Sequence, residues 1–246
     1  MQDIPADAAR AVAIVMAIQQ GDAASVERQL QQDPELATAR IVDGHGVSRT
    51  LLHVVADWPG HFPNGAALVA LLSAAGADMN ARVRHARPDG SPETPLHWAA
   101  SSDDVSVLDA LLDHGADIEA SGAIFTGGPA MSDAVVFAQW RAARRLLERG
   151  AATTLWQAAA LGLLERVQQH CSVTPAPADT EITNALWHGC RGGQLPVVQY
   201  LLARGANRNW VGWDDRTPLD AAVDSGSDEL VAWLRANRAT TARARA

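Results

Sequence analysis

Residues 93–120 read ETPLHWAASSDDVSVLDALLDHGADIEA. Thr94 ahead of Pro95 is a helix start: Thr caps the orphan N–H groups, and Pro stands where no N–H partner is lost. A short apolar run, LHWAA, follows and breaks at SSDD. A second run, VSVLDALLD, repeats its apolar positions at helical spacing and ends at Gly115, where a positive φ is wanted. The same pieces recur along the chain. The first helix returns as TLLHVVA (50–56) and TPLDAAV (217–223). The second returns as ALVALLSAAGADMNAR (67–82), ARRLLERGAAT (143–153) and VVQYLLARGANRN (197–209). Turns between paired helices fall near Gly21, Pro63, Asp103, Ala138, Gly162, Gly193 and Gly226, which predicts seven units stacked in series.

TPLHxAA, a short turn, and a helix ending in LLxxGADxNA resemble the ankyrin repeat. The clearest copy is 93–120, and weaker copies cover nearly the whole chain. The resemblance implies an all-α fold: an α-solenoid of about seven ankyrin-like helix–turn–helix repeats with short β-hairpin fingers. The repeats read as one solenoid domain over residues 1–238, followed by a disordered basic tail, 239–246. Each repeat buries its apolar face only against its neighbours. In this family the imidazole at the TPLH position ties hairpin to helix, a role that falls to His53 and His97, with Asp220 in the same place. Trp156 and Trp187 stand where the family has His. Only 24 residues separate the turns at Ala138 and Gly162, which predicts a missing finger and two Trp filling its space. The stretches 81–93 and 121–129 are long for fingers.

Composition narrows the function. All twenty basic residues are Arg, the coding bias of a GC-rich bacterial genome. Net charge is −8, and setting aside the four Arg of residues 235–246 leaves −12 for the body. An acidic body argues against nucleic acid, which is bound by a basic stripe. No run approaches the length of a membrane-spanning helix, and no signal peptide is evident. Cys171 and Cys190 have no metal-ligand spacing, so a reducing cytoplasm with free thiols is expected. No phosphate loop, zinc-protease or serine-hydrolase motif occurs. No cofactor and no metal are expected, and catalysis is not.

The expected activity is recognition of a protein partner through the concave groove and finger tips, by a chain that is monomeric. By register the contact residues are Trp58, Ser101, Asp133, Phe137, Leu161, His188 and Arg191 along the groove. Trp210, Trp213 and Asp215 stand at the fingers, with Asp43, His45, Arg49, Arg84 and Asp89. Large aromatic groups and Arg dominate binding hot spots; Trp is also well buried on average, so some of these pack under the long loops instead. A second reading is a small-molecule or enzymatic pocket near repeats four to six, lined by Trp140, Trp156, His188, Trp210 and Trp213. Separately, Asp133 and His188 both face the groove by register, two repeats apart, and are the candidates for a general acid–base pair.

Overall fold

The computed structural model describes residues 2–87 and 90–245. Asp89, an expected finger residue, lies outside them. Among the described residues are fourteen α-helices in seven antiparallel pairs. The chain divides into two compact units, Met1–Ala151 and Ala152–Ala246.

The first unit holds four pairs: α1 (Ala9–Gln20) with α2 (Ala23–Gln32), α3 (Leu51–Ala56) with α4 (Gly65–Ala74), α5 (Pro95–Ser101) with α6 (Val105–Asp113), and α7 (Ala130–Val136) with α8 (Trp140–Glu148). First helices pack on first helices (α1, α3, α5, α7) and second on second (α2, α4, α6, α8). The second unit holds three pairs: α9 (Leu155–Ala160) with α10 (Leu164–Cys171), α11 (Asp179–Arg191) with α12 (Leu195–Ala203), and α13 (Pro218–Ser225) with α14 (Asp228–Ala236). There α11 packs between α9 and α13.

Small residues set the spacing. Ala99, Ala100, Ala158, Ala159 and Ala222 are fully buried between first helices. At Gly192 a Cβ would lie 2.0 Å from the carbonyl oxygen of Ala160, so only glycine allows that approach. Six of the turns within helix pairs carry one left-handed residue each, at the positions read from the sequence; the longer turn of the second pair carries three, Gly60, His61 and Asn64, and not Pro63, because a proline ring forbids positive φ. Asn64 then donates from its side chain to the Gly21 carbonyl at 2.9 Å.

Fingers are mostly side-chain-made turns. After three of the four Gly-Ala helix ends, the polar residue accepts an N–H two residues on: Asp78 from Asn80, Asp117 from Glu119, Asn207 from Asn209, at 2.9–3.0 Å. Among the described residues only the first finger is a strand hairpin, β2 (Arg40–Val42) with β3 (Ser48–Thr50), and β1 (Asp3–Pro5) joins β2 in parallel. The buried Arg40 clips it to the next finger, donating to the carbonyls of Ser48 and Arg82, both at 2.6 Å. Six residues join α8 to α9 with no strand between, as the short spacing predicts. A second finger is also replaced, and the sequence reading did not foresee it. Helix α11 starts early, at Asp179, because Glu181 accepts the Ala178 N–H (2.8 Å) and two acids sit in its first turn. Of the tail expected from 239 onward, Thr240 donates its N–H to Asn209 (2.9 Å) and Ala242 to Asp220 (2.8 Å).

The buried imidazoles do two jobs. His53 Nδ1 accepts from the N–H and hydroxyl of Thr50 (3.3 and 2.8 Å), and Nε2 meets the Glu93 carbonyl, just before the next cap, at 3.2 Å. His97 repeats this with Thr94 (3.2 and 2.9 Å) and the Gly128 carbonyl (3.2 Å). A carbonyl only accepts, so the proton sits on Nε2 and each ring is neutral. Asp220 caps Thr217 as expected, accepting its N–H at 3.0 Å and its hydroxyl at 2.8 Å. In α9 the capping residue is Gln157, one place beyond Trp156, and it accepts the Thr154 N–H at 2.8 Å. Trp156 therefore does not take the capping role. Trp187 does more than fill space: its indole Nε1 donates to the Arg216 carbonyl at 3.0 Å, just before the Thr217 cap, as the imidazoles do.

Burial pushes the His53 imidazole down from 6.5 to about 3 and that of His97 to about 4. The unfolded rings take up protons near pH 6.5, whereas the folded ones resist. Their stabilisation is complete above that pH and is lost as pH falls towards 3–4. Denaturant unfolding from pH 7.5 to 4.5 should show stability falling with acid, and His97→Gln, which keeps a capping acceptor, should flatten the slope. Trp187→Phe leaves the Arg216 carbonyl without its donor and should cost about 1–3 kcal/mol in the same assay at neutral pH.

Candidate functional site

In the first unit, the ends of α3, α5 and α7 and the loops preceding these helices carry the exposed aromatic groups. Trp58 follows α3 and is 79% exposed; Phe137 follows α7 and is 40% exposed. Ser101 is half-buried at the end of α5, its hydroxyl donating to the Trp98 carbonyl at 3.0 Å. Asp57 accepts from Arg49 at 2.9 Å, and that guanidinium carbon lies 6.0 Å from the centre of the Trp98 ring. Trp98 is half-buried and meets His53 edge-on, 5.0 Å between ring centres.

Asp133 does not lie open in the groove. It is 1% exposed, because the stretch 121–129 folds over it instead of forming a finger. That stretch is a closed loop: Gly122 N–H donates to the Gly127 and Gly128 carbonyls (3.0 and 2.9 Å), Ala123 N–H to Gly128 (2.9 Å), and Gly127 N–H back to Ala123 (2.8 Å). Ile124 N–H donates to Asp133 Oδ1 at 3.2 Å, while Oδ2 is buried without a hydrogen-bond partner. Burial first, then the nearby Glu93 carboxylate, raise the Asp133 pKa to about 7. The loop presents Ile124 (46% exposed) and Phe125 (70%), and Phe125 packs on Phe137 with ring centres 5.9 Å apart. Phe125 is a candidate contact that the sequence reading passed over. Two adjacent apolar residues between glycines were its visible signal.

The other six expected contacts belong to the second unit. Trp213 is 57% exposed and its indole donates to Asn184 at 3.0 Å; Asp215 beside it is exposed. Trp210 is half-buried against the core, so it packs as well as faces the finger. Leu161 caps the end of α9 and is half-buried. Arg191 lies 5.9 Å from the Trp187 ring. His188 is only 5% exposed, held between Trp156 (4.6 Å between ring centres) and Trp187 (5.1 Å), which removes it from any open contact surface. Burial pushes its imidazole down to about 3.

Asp133 and His188 belong to different units, and so do Trp140 and the other four Trp and His of the expected pocket lining. A hollow of about 580 Å³ in the second unit is lined by Glu165, Gln168, Gln169, Ser172, Tyr200 and Arg204, none of the expected residues. Cys190 replaces a packing Ala, and burial drives its thiol far above its ordinary value.

Family models for ankyrin repeats match this chain in two places: a single repeat over residues 93–123, and three copies over 155–243. These cover the third helix pair and all three pairs of the second unit. Among solved structures, the chain resembles the ankyrin repeat domain of Bcl-3, described as a unique member of the IkappaB protein family. The two are 27% identical, the match covers 91% of this chain and 97% of that one, and the TM-score is 0.51.

Asp133 gives a stability test. Its folded pKa lies above the unfolded value of 3.8, so its favourable contribution is complete below that value and is lost as pH rises through 7. Asp133→Asn keeps an acceptor for Ile124 and cannot ionise. The variant's stability relative to wild type should therefore rise steadily between pH 4 and pH 7, measured by denaturant unfolding.

Proposed function

We propose, on the premise that this chain is an ankyrin-repeat protein, that it is a non-catalytic scaffold that recognises a partner protein through the groove and finger face of its repeats. Ankyrin repeats generally serve as protein–protein interaction scaffolds. The observation that carries the reading is where the large apolar side chains stay exposed. Trp58, Phe125 and Phe137 in the first unit, and Trp213 in the second, all stand at first-helix ends or finger loops. Most of the remaining large apolar groups are buried between helices.

The chemistry suits recognition. Aromatic anchors offer much contact area with few rotatable bonds, and Arg49, Asp57 and Asp215 can rim them with charge. The net charge of −8 favours a basic partner through steering. None of the motifs sought for catalysis sits at this face. We place the work in the cytoplasm, where the two buried thiols stay reduced, and in a monomer.

The test is affinity capture from source lysate, identification of the captured protein, and measurement of its binding to purified chain. Trp58→Ala combined with Phe125→Ala alters only exposed side chains and should leave the circular dichroism unchanged. Binding should weaken at least tenfold, the scale of losing one hot-spot anchor of about 2 kcal/mol. Unchanged affinity in the folded double variant would remove this face from the interface.

A further inference from the structure

The geometry points to a seat for one basic side chain of a bound segment, between α5 and α7 of the first unit, with Glu93 and Asp133 as its acidic floor and Phe125 and Phe137 as its rim. The inference rests on the protein-binding reading above and adds the chemistry of the partner's anchor.

Four observations converge there. Asp133 is 1% exposed, yet its Oδ2 has no hydrogen-bond partner. Such an oxygen is costly to bury, and a buried carboxylate is ordinarily paired with a cation. Glu93 is a second carboxyl near enough to disfavour charge on Asp133, and its own charge is favoured by the neighbouring Trp98 side chain. Arg49, the guanidinium beside Trp98, is already held by Asp57 at 2.9 Å. The rim is aromatic and exposed: Phe125, 70% exposed, on the loop that itself bonds to Asp133, and Phe137, 40% exposed, at the end of α7.

An incoming ammonium or guanidinium would pair with the half-buried Glu93 and relieve the repulsion that this carboxylate exerts on the covered Asp133, while its alkyl stem lay along the rings, which attract cations on their faces. A neutral apolar side chain would gain the rings alone and leave the acids as they are. The overall charge of −8 helps bring such a segment to the face.

The probes are N-acetyl-lysine methylamide, N-acetyl-arginine methylamide and N-acetyl-norleucine methylamide. The readout is the Trp98 indole N–H cross-peak in a ¹H–¹⁵N spectrum of the full chain, assigned with Trp98→Phe. The expected result is a saturable shift with one or both cations, with a midpoint of ~10 mM or lower. Norleucine should give no saturable shift, and Asp133→Asn with Glu93→Gln should lose the cation response at least tenfold. Glu93→Gln alone, at a half-buried position, is the variant to use if the double one does not fold. Equal shifts with norleucine, no saturable shift with either cation, or a cation response that survives the acid substitutions would each overturn the seat. Any of these leaves the capture experiment with Trp58 and Phe125 standing on its own.

Discussion

The fold depends on one recurring bond: a buried side-chain N–H of one helix pair reaching the carbonyl that precedes the first helix of the next. A helix pair this short cannot stand alone, and its neighbour's entry chain brings a polar carbonyl into the shared interior. If that carbonyl went unpaired, stacking would bury an unsatisfied acceptor at every junction. His53, His97 and Trp187 prevent this at three junctions. The other features follow from stacking that closely: alanine pairs, left-handed turn residues and short fingers.

Seen this way, the seat occupied by the imidazole combines two tasks, capping its own helix and bonding to the next pair. Histidine performs both because its two ring nitrogens face opposite ways. Asp220 performs the first, one carboxylate oxygen accepting both the N–H and the hydroxyl of Thr217. Trp187 performs the second, with one donor and no acceptor. The position tolerates different residues because each keeps the task its surroundings require. Its histidines also bring a cost in acid, while the buried Asp133 brings one in base, so stability is drawn from opposite sides towards a middle range of pH.

Much of this was legible in the sequence, for a local reason. Thr-Pro starts, Leu-Leu helices and Gly-Ala ends report short-range backbone needs, and they located the helix pairs and the lost finger after α8. What escaped was set by competition between alternatives that the motif does not encode. Helix α11 absorbed its finger because Glu181 supplied a better start upstream. Gln157, not Trp156, took the cap because an amide can accept from Thr154 and an indole cannot. Asp133 and His188 were assigned the correct helices and the wrong exposure: register gives the face of a helix, and only the neighbouring loop or rings decide what covers it. Trp58, Phe137 and Trp213 did prove to be exposed, as their places after and between helices implied.

The loop bearing Phe125 has a consequence for solubility. Sticky surfaces endanger a protein chiefly when apolar side chains come with an open strand edge, since unpaired N–H and C=O groups then template stacking of copy on copy. Here the glycines fold the backbone onto itself, and the amides of Gly122, Ala123, Ile124 and Gly127 all point inward to acceptors. Phe125 and Ile124 are thus displayed without an edge for another strand to extend. Such a surface can adhere by its side chains and let go again, the behaviour a reversible docking face requires and an aggregating one lacks.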